Sequence, residues 1–213
     1  MAEIIDISPE IHSKIAVWPG DTSFSQRFLC SFKGGGNLDL STIETTVHLG
    51  AHTDAPSHYS PQGDSIEKRD LSYYYGSAQV ISVQIKRGER IYPKDISHPI
   101  QSPRILLATN SFPDPDRFNE DFCSLSPELV EWLAEKNVCL VGIDTPSIDP
   151  FSSKKLESHN AVFKKNMAVL EGIVLSHVTE GLYTLIAFPL KIRGSDASPV
   201  RAVLIRYGHT CGT

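Results

Sequence analysis

Apolar residues come along this chain mostly in short runs of strand length, separated by breaks that carry Pro, Gly, Asn or Asp. Residues 3–7 read as a short strand, followed by a loop through Trp18-Pro19-Gly20-Asp21, where Pro-Gly marks a tight turn. Residues 40–49 concentrate Thr42, Ile43, Thr45, Thr46 and Val47, whose branched Cβ atoms favour a strand. Further strands are expected at 79–85, 105–109, 138–143, 173–175, 185–188 and 202–206. Helices are fewer. Ser126-Pro127-Glu128 supplies an N-cap, a first-turn proline and an early acid, and leads through Leu129, Val130 and Leu133 to about Lys136. A second helix is expected over 156–166, after a loop holding Asp149-Pro150 and Ser152-Ser153. Strands dominate, with helices between them, so the pattern predicts an α/β or α+β class and leaves the strand order open.

The 213 residues contain no internal repeat and no low-complexity tract, which predicts a single domain over 1–213. A formal net charge of −5 gives no footprint for nucleic acid or an anionic membrane, and Lys86-Arg87 and Lys154-Lys155 are too short to change that. No apolar run is long enough to span a bilayer, and the first residues carry acids where a secretory leader needs a basic region and an apolar core. Cys30, Cys123, Cys139 and Cys211 show no CxxC spacing, which argues against a thiolate zinc cluster and a disulfide framework. A cytoplasmic protein is the expectation.

One segment departs from this ordinary background. Residues 48–58 read HLGAHTDAPSH and hold three of the eight histidines together with Asp54. Neutral imidazole and carboxylate are preferred ligands of zinc and its first-row neighbours. His48 and His52 have the i, i+4 spacing of a helical metal motif, but Gly50 between them and Pro56 beyond argue against a continuous helix. On a straight strand His48, His52, Asp54 and His58 share a face, yet His48 and His52 then lie about 13 Å apart at ~3.3 Å per residue. That is too far to ligate one ion, so the chain is expected to bend near Gly50, where the missing Cβ makes a bend inexpensive. His48, His52 and Asp54 as three ligands leave an open position on a tetrahedral ion, the mark of a catalytic site. His58, two residues beyond Pro56, is then free to act as a general acid and base.

These residues resemble a known signature. His48-Leu49-Gly50-Ala51-His52-Thr53-Asp54-Ala55-Pro56-Ser57-His58 is similar to the HxGTHxDxPxH motif of the metal-dependent cyclase-like hydrolases, with Ala51 replacing a non-ligating threonine. Within that superfamily the chain is similar to the bacterial kynurenine formamidases, also called arylformamidases. The similarity runs through Val17-Trp18-Pro19-Gly20-Asp21-Thr22, Val141-Gly142-Ile143-Asp144-Thr145-Pro146-Ser147 and Leu170-Glu171-Gly172, and closes with Asp196-Ala197-Ser198-Pro199-Val200-Arg201-Ala202.

The resemblance implies a swivelling β/β/α domain with a mostly β core and peripheral helices, in the form of a homodimer. It implies two divalent metal ions per subunit, zinc by family habit. His48, His52 and Asp54 hold the first, Asp54 bridges to the second, and His159 and Glu171 complete the set. His58 matches the proton donor and acceptor, and Trp18 matches an aromatic that contacts substrate. The implied reaction is hydrolysis of N-formyl-L-kynurenine to L-kynurenine and formate, a step of tryptophan degradation, by metal-activated water. No GxSxG elbow is present, which separates this reading from a serine-hydrolase route. His12, His98, His177 and His209 lack comparable neighbours and read as structural or surface residues. From the residues alone, two rivals stay open: another amidase or ring-opening hydrolase on the same metal core, and a metal-dependent binding protein without turnover. His58, placed outside the ligand set, counts against the second.

Overall fold

The computed structural model describes residues 2–207, so His209 and Cys211 lie outside the described residues. The strands are β1 (Ala2–Asp6), β2 (Ser25–Cys30), β3 (Leu40–Glu44), β4 (His52–Asp54), β5 (Tyr75–Ser82), β6 (Arg90–Ile91) and β7 (Arg104–Ala108). They continue with β8 (Ser124–Leu125), β9 (Leu140–Ile143), β10 (Ala168–Leu170), β11 (Gly181–Ile186), β12 (Ala197–Pro199) and β13 (Val203–Tyr207). The α-helices are α1 (Pro56–Tyr59), α2 (Pro127–Glu135) and α3 (Glu157–Lys164).

Seven strands form the central sheet in the order β1-β13-β11-β5-β7-β9-β10. The β5-β7-β9-β10 half is parallel and the β1-β13-β11-β5 half antiparallel. Successive side chains of a strand point to opposite faces, and here each face has its own core. Ile81, Ile105, Leu107, Val141, Ile143 and Val169 pack with Leu129, Val130 and Leu133 of α2 and with Ala161 and Val162 of α3. Their neighbours Val80, Leu106, Leu140, Ala168 and Leu170 pack on the other face with Ile7, Ala51, Tyr74, Ile173 and Leu175, which come from irregular segments and short turns. The class is therefore mixed α/β with few helices, as the pattern predicts. Ser126 caps α2 through the Leu129 N–H at 3.1 Å.

Two expected strands differ. The run at 40–49 is a strand only to Glu44, and β3 pairs with β2 alone in an exposed hairpin with a bulge between Phe28 and Cys30. The branched residues suit a pleated ribbon, but beyond Glu44 no ladder continues. His48 and His52 therefore do not share a strand. The chain instead turns through Gly50, at φ 54°, and enters β4 at His52. Residues 173–175 are irregular because Gly172, at φ 65°, swings the chain away after β10. Strands β4, β10 and β12 have only three residues each, below the length at which alternation is readable. Among the described residues no helix is long and apolar enough to cross a membrane.

Candidate metal centre

Parallel strands leave the carboxyl ends of β7, β9 and β10 on one edge, the usual place for a crevice in an α/β sheet. Asn110, Asp144 and Glu171, just beyond those ends, line a cavity of about 570 Å³. Glu171 is then paired to β4 through an isolated antiparallel bridge with His52. On its other edge β4 pairs with β12, in the register Ala197 to Asp54 and Pro199 to His52. The motif strand is thus held from both sides.

Every sequence-predicted ligand arrives at this point. His48 Nδ1 lies 3.0 Å from Asp54 Oδ1. His52 Nε2 lies 3.2 Å from Glu171 Oε2 and 3.6 Å from Asp54 Oδ1. His159, carried by α3, has Nε2 3.4 Å from Asp54 Oδ2 and 3.3 Å from Glu171 Oε1. Asp54 therefore turns one oxygen toward His48 and His52 and the other toward His159, and Glu171 turns one toward His52 and the other toward His159. The outer ring nitrogens are occupied by acceptors: His52 Nδ1 by the Gly50 carbonyl at 2.9 Å, His159 Nδ1 by Asp149 Oδ2 at 2.8 Å, and His48 Nε2 by Asp196 Oδ2 at 3.0 Å. Such outer bonds orient a ligating imidazole and keep its inner nitrogen free.

Burial makes the cluster costly without a cation. Asp54, His52, His159 and Glu171 are each no more than 3 % exposed. Asp54 Oδ1 and His159 Nε2 are buried with no hydrogen-bond partner, which native interiors rarely tolerate. The donor set fits a divalent metal: ligand atoms of His52, Asp54 and Glu171 all lie within 4.8 Å of one another, and so do those of His48, Asp54 and His58. Without a metal the charges answer one another. Burial pulls the His48 imidazolium down, but the Asp54 and Asp196 carboxylates outweigh it and raise the pKa to about 9. Burial likewise opposes His159, which Asp149, Asp54 and Glu171 nevertheless hold well above the ordinary histidine range. Burial raises Asp54, yet the His159 and His48 imidazoles beside it keep it well below the carboxylate range.

His58 sits on α1, about one third exposed, with Nε2 4.0 Å from Asp54 Oδ2 and Nδ1 3.2 Å from Asp196 Oδ2. Trp18 is half-buried at the cavity wall, at the turn its Pro-Gly predicts, where the Asp21 N–H donates to the Trp18 carbonyl. Its ring packs on Phe151 at 5.1 Å and edge-on against Phe118 at 5.5 Å, so it is both a packing residue and a cavity wall. Asp149 and Asp196 are the polar residues that sequence reasoning passed over. Asp149 carried only its place before Pro150, and Asp196 only its place at the head of the closing motif. Arg90 bonds Asp149 at 3.2 Å and Ser158 at 3.1 Å, tying the carboxylate behind His159 to the start of α3.

A mixed α/β sheet with a buried histidine–carboxylate cluster at its carboxyl edge defines a metal-dependent hydrolase of the cyclase-like class. Residues 5–150 match the family described as "Putative cyclase". The chain belongs to this family and to the kynurenine formamidase group within it. It is 40% identical over 210 residues to the kynurenine formamidase of Bordetella petrii, covering 98% of this chain and 100% of that one. It is 42% identical over 200 residues to the kynurenine formamidase of Delftia acidovorans, covering 93% and 95%. Among solved structures, one described as "The Structure Of Potential Metal-Dependent Hydrolase With Cyclase Activity" superposes with a TM-score of 0.85 at 26% identity, covering 98% of this chain and 100% of that one.

Proposed function

We propose that this single-domain chain hydrolyses N-formyl-L-kynurenine to L-kynurenine and formate. Two divalent ions, zinc as the family resemblance implies, would be held by His48, His52, Asp54, His159 and Glu171. The observation that carries the reading is the convergence of both carboxylates between two sets of imidazoles, with Asp54 Oδ1 and His159 Nε2 left unpartnered. When bound, the ions supply Lewis-acid polarisation of the formyl oxygen and a water whose pKa falls from about 15.7 toward ~7.

The chain's own residues then position substrate and move protons. Trp18, Phe112 and Phe118 give the cavity aromatic walls suited to a flat anilide ring. His58 Nε2 takes a proton from the attacking water and returns it to the aryl nitrogen as the C–N bond breaks. One proton is borrowed and returned, and no serine or cysteine nucleophile is needed. The name kynurenine formamidase, carried by relatives 38–42% identical to this chain, supports formylkynurenine over other small amides.

The same reading makes the protein a cytoplasmic homodimer. Support for the dimer comes from the β2–β3 hairpin, where Phe28, Leu29, Leu40 and Ile43 are all more than half exposed. An apolar ribbon of that kind calls for a covering surface, and sedimentation of the intact chain as a monomer at working concentration contradicts this part. The catalytic part is tested by following kynurenine absorbance with purified chain, using a cyclic amide as the control substrate. Turnover of the cyclic amide alone replaces this substrate by the rival one.

A further inference from the structure

The Asp196 carboxylate touches two members of the site at once. Its Oδ2 atom lies 3.2 Å from His58 Nδ1 and 3.0 Å from His48 Nε2. We propose that Asp196 is a positioning residue for the reaction: it holds the His58 ring with its proton on Nδ1 and turns Nε2 toward the metal cluster. This rests on the reading of His58 as the proton carrier.

Three features of the fold make the contact a built one. Asp196 immediately precedes β12, whose Ala197 is paired with Asp54 of β4. The Asp196 carbonyl accepts from the Ala55 N–H at 2.8 Å, and the Ala55 carbonyl accepts from the His58 N–H at 2.9 Å. A closed loop results: Asp196 to Ala55 and Ala55 to His58 through backbone, then His58 back to Asp196 through side chains. The same carboxylate braces His48, whose ring centroid lies 4.3 Å from that of His58.

Chemistry gives the contact its consequence. A neutral imidazole has one N–H, and it can act as a base only at the other nitrogen. Asp196 is the acceptor within hydrogen-bond reach of Nδ1, whereas the nearest carboxylate oxygen to Nε2, Asp54 Oδ2, is at 4.0 Å, beyond that reach. The proton therefore belongs on Nδ1, and Nε2 presents its lone pair toward the cavity. Without Asp196 the ring is free to rotate and to change tautomer, and its basic nitrogen no longer faces the reacting atoms.

The test uses zinc-loaded wild-type chain, Asp196→Ala, Asp196→Asn and His58→Ala, all assayed in excess zinc. Long-range 1H–15N spectra of the His58 ring report the tautomer, and kinetics are taken on N-formylkynurenine and on 4-nitroformanilide. The expected wild-type ring is Nδ1–H. Asp196→Ala is expected to lose it and to lower kcat on formylkynurenine roughly 10- to 100-fold, the usual scale for an outer-shell partner. KM is expected to hold within about twofold, because Asp196 does not line the cavity and His58 moves its proton only in the transition state. The nitroanilide, whose leaving nitrogen needs less protonation, is expected to lose less. Asp196→Asn, whose amide oxygen still accepts from Nδ1, is expected to recover part of both signals. An Nε2–H ring in the wild type, or an unchanged tautomer in Asp196→Ala whatever its kcat, overturns the proposal. Full activity in His58→Ala overturns the reading beneath it instead.

Discussion

The backbones of His52 and Glu171 exchange two hydrogen bonds, at 3.0 and 2.9 Å, and their side chains meet again 3.2 Å apart. That single bridge brings the end of β10 against the motif strand, so a carboxylate from the far half of the chain reaches the histidines at a register set by main chain. The turn that allows it is Gly172, whose own N–H donates to the Thr145 carbonyl at 2.8 Å.

Gly172→Ala is expected to damage this junction. The residue has φ 65°, and a Cβ there would collide with the Gly50 carbonyl oxygen. Two features of the site, the Gly50 turn and the His52–Glu171 bridge, cannot both survive that contact. We expect a loss of about 2–4 kcal/mol and a fall of roughly 5–15 °C in Tm for a chain of this size. Thermal unfolding with and without zinc measures it.

Asp54→Ala is expected to empty the site, because this carboxylate faces His48 and His52 with one oxygen and His159 with the other. Metal affinity is expected to fall by more than about 100-fold, exceeding the loss from an outer-shell partner. Metal analysis after gel filtration checks it. Full occupancy in this variant sinks the assignment of Asp54 as the shared ligand.

His58→Ala is expected to separate chemistry from binding. Its ring stands at the edge of the cluster, with Nε2 4.0 Å from the nearest Asp54 oxygen. Metal content is expected to stay at the wild-type level while kcat falls roughly 100- to 10,000-fold, the range for a general acid–base group. A parallel loss of metal makes His58 a ligand, in line with its nearness to His48 and Asp54.

Metal uptake is expected to release protons. Although burial opposes it, Asp54 and Asp196 raise His48 to about 9 in the metal-free protein. At about pH 7.5 that ring is therefore protonated, and ligation through a neutral nitrogen must expel the proton. Metal affinity then rises with pH up to about 9, and His48's share of the release disappears by about pH 10, once the free ring is already neutral. Calorimetric titrations in buffers of different ionisation enthalpy count the protons. Zero release at about pH 7.5 contradicts the ligand role of His48.

The site was legible where chemistry is dense in sequence and illegible where tertiary contact makes it. His48, His52, Asp54 and His58 stand close enough together for ligand type and spacing to single them out, and the turn at Gly50 followed from reach alone. Only the resemblance named His159 and Glu171, since a helix-borne histidine and a lone glutamate resemble surface residues. Asp149 and Asp196 went unseen because their role is defined by which imidazole nitrogen they face. In the fold, β5, β7, β9 and β13 followed from apolar runs, whereas β4 and β12 owe their pairing to each other and to Glu171. The branched run after Leu40 shows the converse error: strand propensity was real as far as Glu44, but propensity does not say where a strand stops pairing.

The most direct measurement is metal content per subunit taken on the same preparation as N-formylkynurenine hydrolysis, before chelation, after it and after zinc is restored. Two ions per subunit, activity lost with them and regained with them, is the result predicted by the buried pairing of Asp54 and Glu171 with three imidazoles. Full hydrolysis by protein free of divalent metal and indifferent to chelators contradicts it.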